Sequence, residues 1–326
     1  MHPAFSVIFL TTLIGVGQGL FLALYTGQVY SLANLLPVQD STSFYGIGSA
    51  LALLFLVLGL FASFFHLGHP ERAWRAATRW RSSWLSREVI VLPVFMGLVF
   101  LYGVIHYLGW TAPLFVVQQT LPVDATLIVG FLASVAAFAL FLCTAMIYAS
   151  LKFLQQWHSP LTVLNYMLLG TASGFMLAAA FSAYTGVDLL AFFGTWAVIF
   201  TLAGFLTRGA SLLRNRGLRP KITLRSAIGV RHQHLGQKAQ GFMGGSFNTR
   251  EFFHGKGPGL VRGMQYAFLL LAFPLPVALI WAGHLANSPE LALVAFAVQY
   301  LGLVAERWHF FAEARHPQNL YYQSMA

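Results

Sequence analysis

Long apolar runs separated by shorter polar stretches set the pattern of this chain. Eight can be marked, at about Phe5–Leu24, Phe44–Phe65, Val89–Leu108, Thr126–Ala149, Leu161–Phe181, Leu189–Leu206, Gly263–Ala282 and Leu291–Phe311. Most approach the ~20 residues that an α-helix needs to cross the hydrocarbon core of a bilayer. No water is present there to satisfy the backbone, so each run is predicted helical. The pattern predicts an all-α integral membrane protein: eight transmembrane helices, in one membrane domain over residues 1–326. The sixth run is short, and the eighth carries Glu306, Arg307 and His309 in its last turns. Pro274 and Pro276 are predicted to break the seventh run and Pro93 the third, because proline lacks the N–H that a helix interior needs.

Composition agrees. Hydrophobic residues make up 58% of the chain and charged residues only 9%, against about 25% charged in a soluble domain. The mean hydropathy is +0.70. The surplus apolar surface is expected to face membrane lipid. The N-terminus, MHPAFSVIFL, has no basic stretch ahead of its apolar run, so the first run is read as a retained span rather than a cleaved signal. The single cysteine, Cys143, lies within an apolar run and reads as a small buried hydrophobe.

The net charge of +10 raises the question of nucleic acid, but its distribution answers differently. If the spans alternate, all 19 Lys and Arg residues fall on one side. The opposite connections carry Asp40, Asp124, Asp188 and Glu290 and no basic residue. The positive-inside rule then places both termini in the cytoplasm. No nucleic-acid-binding motif accompanies the charge, so nucleic acid is excluded as a partner. A faint repeat, Gly19-Leu-Phe-Leu-Ala23 against Gly174-Phe-Met-Leu-Ala178, fits two similar four-helix halves.

Between Thr207 and Gly259 the composition turns polar, basic and glycine-rich. That is long for a simple connection between packed helices. Phe242, Phe247, Phe252 and Phe253 argue against pure disorder. The segment 207–259 is therefore read as a cytoplasmic basic loop that docks a partner, with a solvated mobile loop as the alternative.

The densest polar cluster at a span end is HLGHPERAWRAATRWRSSWLSRE, from His66 to Glu88. His66 ends the second span and Glu88 opens the third, with Ser86 placed to cap that helix. A quinol gives up two protons when it is oxidised, and a histidine and a carboxylate at one membrane face suit that exchange. The structural alternative makes His66 a helix-end residue and Glu88 a partner of the helix dipole. Trp74, Trp80 and Trp84 read as an interfacial aromatic belt. His232, His234 and His254 have no cysteine or carboxylate at metal spacing.

HLGHPERAW followed by SSWLSRE resembles the membrane anchor subunits of dimethyl sulfoxide reductase-type molybdoenzymes. The resemblance covers essentially the whole chain. SFNTREFFHG and the C-terminal ERWHFFAEARHPQNLYYQ resemble most the anchors of membrane-bound, cytoplasmic sulfite dehydrogenases. It implies a bacterial cytoplasmic-membrane complex of three subunits: a molybdopterin catalytic subunit, a ferredoxin-like iron–sulfur subunit, and this anchor exchanging electrons with quinone, either menaquinone or ubiquinone. It further implies a quinone site that includes His66 and Glu88, with Arg72 and Ser86 matching the local pattern. His69 departs from that pattern, which often has serine there. Haem b would need two axial histidines inside the bundle. His66, His106, His284 and His309 all sit at span ends, so haem is not expected.

Two other functions compete on sequence grounds. A secondary transporter would show ionisable or broken mid-span sites, and no charge is predicted deep in a span. A purely structural anchor would lack quinone chemistry. Within the family resemblance, a terminal reductase drawing electrons from quinol is the alternative to sulfite oxidation.

Overall fold

The computed structural model describes residues 1–117, 121–219, 221–232, 234–236 and 251–321. Lys238, Arg250, Phe242, Phe247 and the first half of SFNTREFFHG, residues 246–250, lie outside the described residues. Among the described residues, eight helical stretches are long and apolar enough to cross a membrane. They comprise α1 (Phe5–Leu32), α2 (Ile47–Ser63, entered by a π-turn at Ser41–Gly46), α3 (Trp84–Tyr107), α4 (Ala125–Ala149), α5 (Pro160–Tyr184), α6 (Leu190–Arg216), the pair α8 (Pro258–Leu271) and α9 (Pro274–Ala286), and α10 (Pro289–Glu313). A short helix α7 (Leu224–Ile228) lies between α6 and α8. An even number of crossings puts the two chain ends on one face, called here the terminal face.

α1 and α5 are the central helices, each about 72% buried over its most apolar stretch. They cross on small residues: a Cβ on Gly15 would stand 3.4 Å from the Cα of Gly170, and one on Gly19 2.9 Å from the Cα of Gly174. Such spacing, Gly15-x-x-x-Gly19 against Gly170-x-x-x-Gly174, lets two helix backbones approach closely within a membrane, where dispersion replaces the hydrophobic effect as the driving force. Around this pair, α2 packs on α1, α6 on α5, and α3 on α4, while α10 rests on α5, α8 and α9. Outward positions such as Leu54, Val57, Phe100, Phe131 and Leu202 are exposed, as lipid-facing residues must be.

Several span ends differ from the sequence expectation, each for a local reason. α1 continues eight residues past Leu24 because its polar residues turn inward and find partners. Tyr25 donates to the Leu127 carbonyl at 3.1 Å, and Gln28 donates to Thr126 at 2.5 Å. α6 runs on to Arg216, so the first ten residues of the supposed loop 207–259 are helix and the sixth span is not short. Pro93 does not break α3, which is continuous from Trp84 to Tyr107; neighbouring helices commonly support such prolines in membranes.

The seventh span is broken as predicted, between Leu271 and Pro274. Pro276 has no N–H to offer the Ala272 carbonyl, and Gln299 of α10 donates to that oxygen instead, at 3.4 Å. A pair of strands, β1 (Phe115–Val117) and β2 (Leu121–Val123), forms an antiparallel ribbon between α3 and α4. The all-helical reading had no place for it.

Candidate functional site

α3 begins at the terminal face, and its cap differs from expectation. Ser83, with an extended backbone (φ −114°, ψ 126°), accepts from the Ser86 N–H at 3.4 Å. An N-cap must be the last residue outside helical geometry. Ser83 meets that condition, whereas Ser86 is already in the first turn and buried. One turn of helix turned inward then carries Glu88 into the bundle. It is 8% exposed, and its carboxylate accepts from the Thr144 hydroxyl of α4.

Glu88 borders a cavity lined by residues of α1, α3, α4, α5 and α10. Gln18, Thr144, Tyr166, Ser173 and Arg307 supply its other main polar groups. Its volume is about 20 Å³, and a water needs about 10–15 Å³ of such space. The cavity therefore suits one or two waters and is far too small for a quinone ring.

On the far side of Arg307 lies a cluster of buried charges. The Arg307 guanidinium stands 3.8 Å over the Tyr166 ring and 3.4 Å from a Glu306 oxygen. The other Glu306 oxygen is 2.7 Å from Arg208 Nε, with both side chains at most 2% exposed. Arg208 Nη2 is 3.3 Å from His309 Nδ1 and 4.0 Å from Glu313. Since guanidinium can only donate, His309 accepts there. Glu313 is the outermost member, with 22% of its side chain exposed.

The four residues that the motif singled out divide into two pairs. Ser86 and Glu88 are buried in the end of the bundle. His66 closes a 3₁₀ turn (Phe64–His66) after α2 and is exposed, beside the outward-facing Phe61 and Phe65, whose rings meet edge to face at 5.3 Å. Arg72 is exposed on the 3₁₀ segment Pro70–Arg79 and lies 3.6 Å from Glu71. No hydrogen bond or ion pair joins the side chain of any of the four to that of another. His69 pairs with Glu71 at 3.0 Å. Trp74, Trp80 and Trp84 each lie under an arginine, Arg75, Arg81 and Arg87 respectively, with guanidinium-to-ring distances of 5.6, 5.3 and 4.2 Å.

Sequence reasoning missed the charge cluster. By composition Arg208 belongs to a polar loop, Glu313 does not stand out, and Glu306 and Arg307 read only as the polar end of a span. A signal was present: a Glu-Arg pair in the last turns of an apolar helix is unusual enough to ask for buried partners. The charges are buried between helices rather than deep along a span: Glu88, Arg208, Glu306 and Arg307 all lie toward the terminal ends of their helices.

An eight-span bundle with a carboxylate and a charge cluster at one end is the frame in which the family is to be read. The chain belongs to the DMSO reductase anchor subunit (DmsC) family, whose profile matches residues 1–229, and it is a multi-pass membrane protein. Among its relatives is a sulfite dehydrogenase subunit of Allochromatium vinosum, to which it is 62% identical over 326 residues and the full length of both chains. Membership of an anchor family decides against the transporter reading.

Proposed function

We propose that this chain is the membrane anchor and quinone-reactive subunit of a three-subunit molybdopterin oxidoreductase that oxidises sulfite. The chemistry balances across the complex. Sulfite and water give sulfate, two protons and two electrons in the molybdopterin subunit. The electrons pass through a ferredoxin-like iron–sulfur subunit docked on the terminal face. Quinone takes up two electrons and two protons and leaves as quinol. The membrane is the bacterial cytoplasmic membrane, with both termini in the cytoplasm and the helices arranged as two four-helix halves. The basic residues of the terminal face favour that orientation, and the Gly19 and Gly174 repeat favours the halves.

The observation that carries this reading is Glu88, a buried carboxylate held by Thr144 at the terminal end of the bundle, in a chain alike along its whole length to a sulfite dehydrogenase subunit. The water-sized cavity beside Glu88 supports a quinone ring lying outside it and entering from lipid alongside Phe61, Phe65 and His66. His66 then supplies a hydrogen bond to a quinone oxygen. Glu88 holds and transfers a proton from the protein side, and Arg72 and Ser86 support the same corner.

The test is to delete the gene for this chain from the native host and follow sulfite oxidation. The reading expects sulfite-to-dye activity to persist in the soluble fraction while sulfite-to-quinone activity disappears. Retention of quinone-linked activity without this chain would refute it.

A further inference from the structure

Glu88 is buried in the bundle, 8% exposed, and a group that passes protons must be resupplied. We infer that the water-sized cavity and the residues beyond it, Tyr166, Arg307, Glu306, Arg208 and Glu313, form the proton path between Glu88 and the terminal face. This inference rests on the quinone reading above.

Three features support it. First, the groups are contiguous. The cavity touches Glu88, Tyr166 and Arg307; Glu306 lies against Arg307; Arg208 bridges Glu306 and Glu313; and Glu313 reaches the surface. Second, the polar atoms along this line have unused capacity. The Tyr166 hydroxyl sits beside the Arg307 guanidinium without an aligned hydrogen bond, and both Glu306 oxygens make ion contacts but no aligned hydrogen bond. Buried polar groups left open in this way are where ordered water binds. Third, three carboxyls able to carry a proton in turn, Glu88, Glu306 and Glu313, lie along the line, and guanidiniums hold them in place: Arg307 and Arg208 within it and Arg216 acting on Glu313.

In the direction of quinone reduction, Glu88 gives its proton to the reduced quinone oxygen. A proton entering at Glu313 passes by way of Glu306 and the cavity water to restore Glu88. Two such cycles match the two electrons delivered. The arginines hold the carboxyls in place and keep their own protons throughout.

The experiment uses the assembled complex in membranes, with a short-chain quinone and a dye as alternative electron acceptors. Tyr166→Phe and Glu313→Gln are compared with Glu88→Gln. The first two should slow quinone-linked turnover about a hundredfold or more, the scale of a lost proton-transfer group. They should leave the quinone KM and the dye-linked rate unchanged. Azide or formate, as small diffusible acids, should restore part of the Glu313→Gln rate, which a merely structural defect would not allow. Glu313→Asp, which keeps a carboxyl, should stay near the wild-type rate.

If Tyr166→Phe and Glu313→Gln both turn over at wild-type rates while Glu88→Gln is inactive, the path is wrong and the quinone site stands. If Glu88→Gln is also fully active, the quinone reading itself falls, and the relay with it. If Glu313→Gln fails to assemble, Tyr166→Phe decides alone.

Discussion

Gly19 of α1 and Gly174 of α5 lie back to back at the centre of the bundle, so close that a Cβ on Gly19 would stand 2.9 Å from the Cα of Gly174. They are also the leading residues of the two repeat segments. The positions that look alike in sequence are thus the ones that meet in space. The obstruction is backbone, which cannot rotate aside as a side chain can.

Replacing Gly174 by leucine should therefore separate α1 from α5. Overpacking a core costs typically about 1–3 kcal/mol, and a backbone clash belongs at or above the top of that range. The expected outcome is loss of the protein from membranes, or a marked drop in its unfolding temperature in detergent. Gly97→Ala is the control, because nothing lies within 4 Å of a Cβ at that position. Equal stability of the two variants would contradict the packing described here.

Glu306 is held between Arg208 and Arg307 at 2.7 and 3.4 Å. Glu306→Gln keeps its volume and removes the charge, leaving two guanidiniums buried with less compensation. Breaking a buried pair from one side costs about 3–5 kcal/mol. Thermal unfolding should show Glu306→Gln to be far less stable than the surface change Glu71→Gln, whose partners His69 and Arg72 are exposed. A surface pair contributes only about 0–1 kcal/mol.

The eight crossings put Asp40 and Arg216 on opposite faces. Single cysteines introduced at these positions should react with a membrane-impermeant thiol reagent from opposite sides of sealed vesicles. In right-side-out vesicles the reagent should reach position 40 and not position 216. Labelling of both from one side would remove a span from the topology.

Much of this molecule was legible in its sequence, and the failures have definable causes. The eight spans follow from the one demand that apolar runs in lipid be helical, and the break at Pro274 and Pro276 follows from two missing N–H groups. Span ends were misplaced wherever polar residues turned inward. Gln28 and Arg208 read as loop residues by composition, but inside the bundle Gln28 donates to Thr126 and Arg208 pairs with Glu306. The strand pair was missed because three-residue strands leave no period to detect. Of the candidate site, Glu88 was legible through its position at the start of a span. The arrangement around it depends on α4, α5 and α10, which no local motif relates to α3. His66 and Glu88 were paired by nearness to a common turn, and the structure gives one to the surface and the other to the interior.

The central claim is that Glu88 handles the protons of quinone chemistry. Glu88→Gln tests it most directly, because glutamine keeps the shape and can still accept from Thr144 while being unable to give up a proton. The measurement is quinone-linked turnover of the purified complex beside its dye-linked turnover. Loss of one hydrogen bond to a charged group would weaken binding by about 1.5–3 kcal/mol, which excess quinone can overcome. The account predicts that saturating quinone does not restore the rate, which stays at least about a hundredfold low, as expected for a lost acid–base group, while the dye-linked rate is unchanged. Quinone-linked turnover at or near the wild-type rate would contradict it.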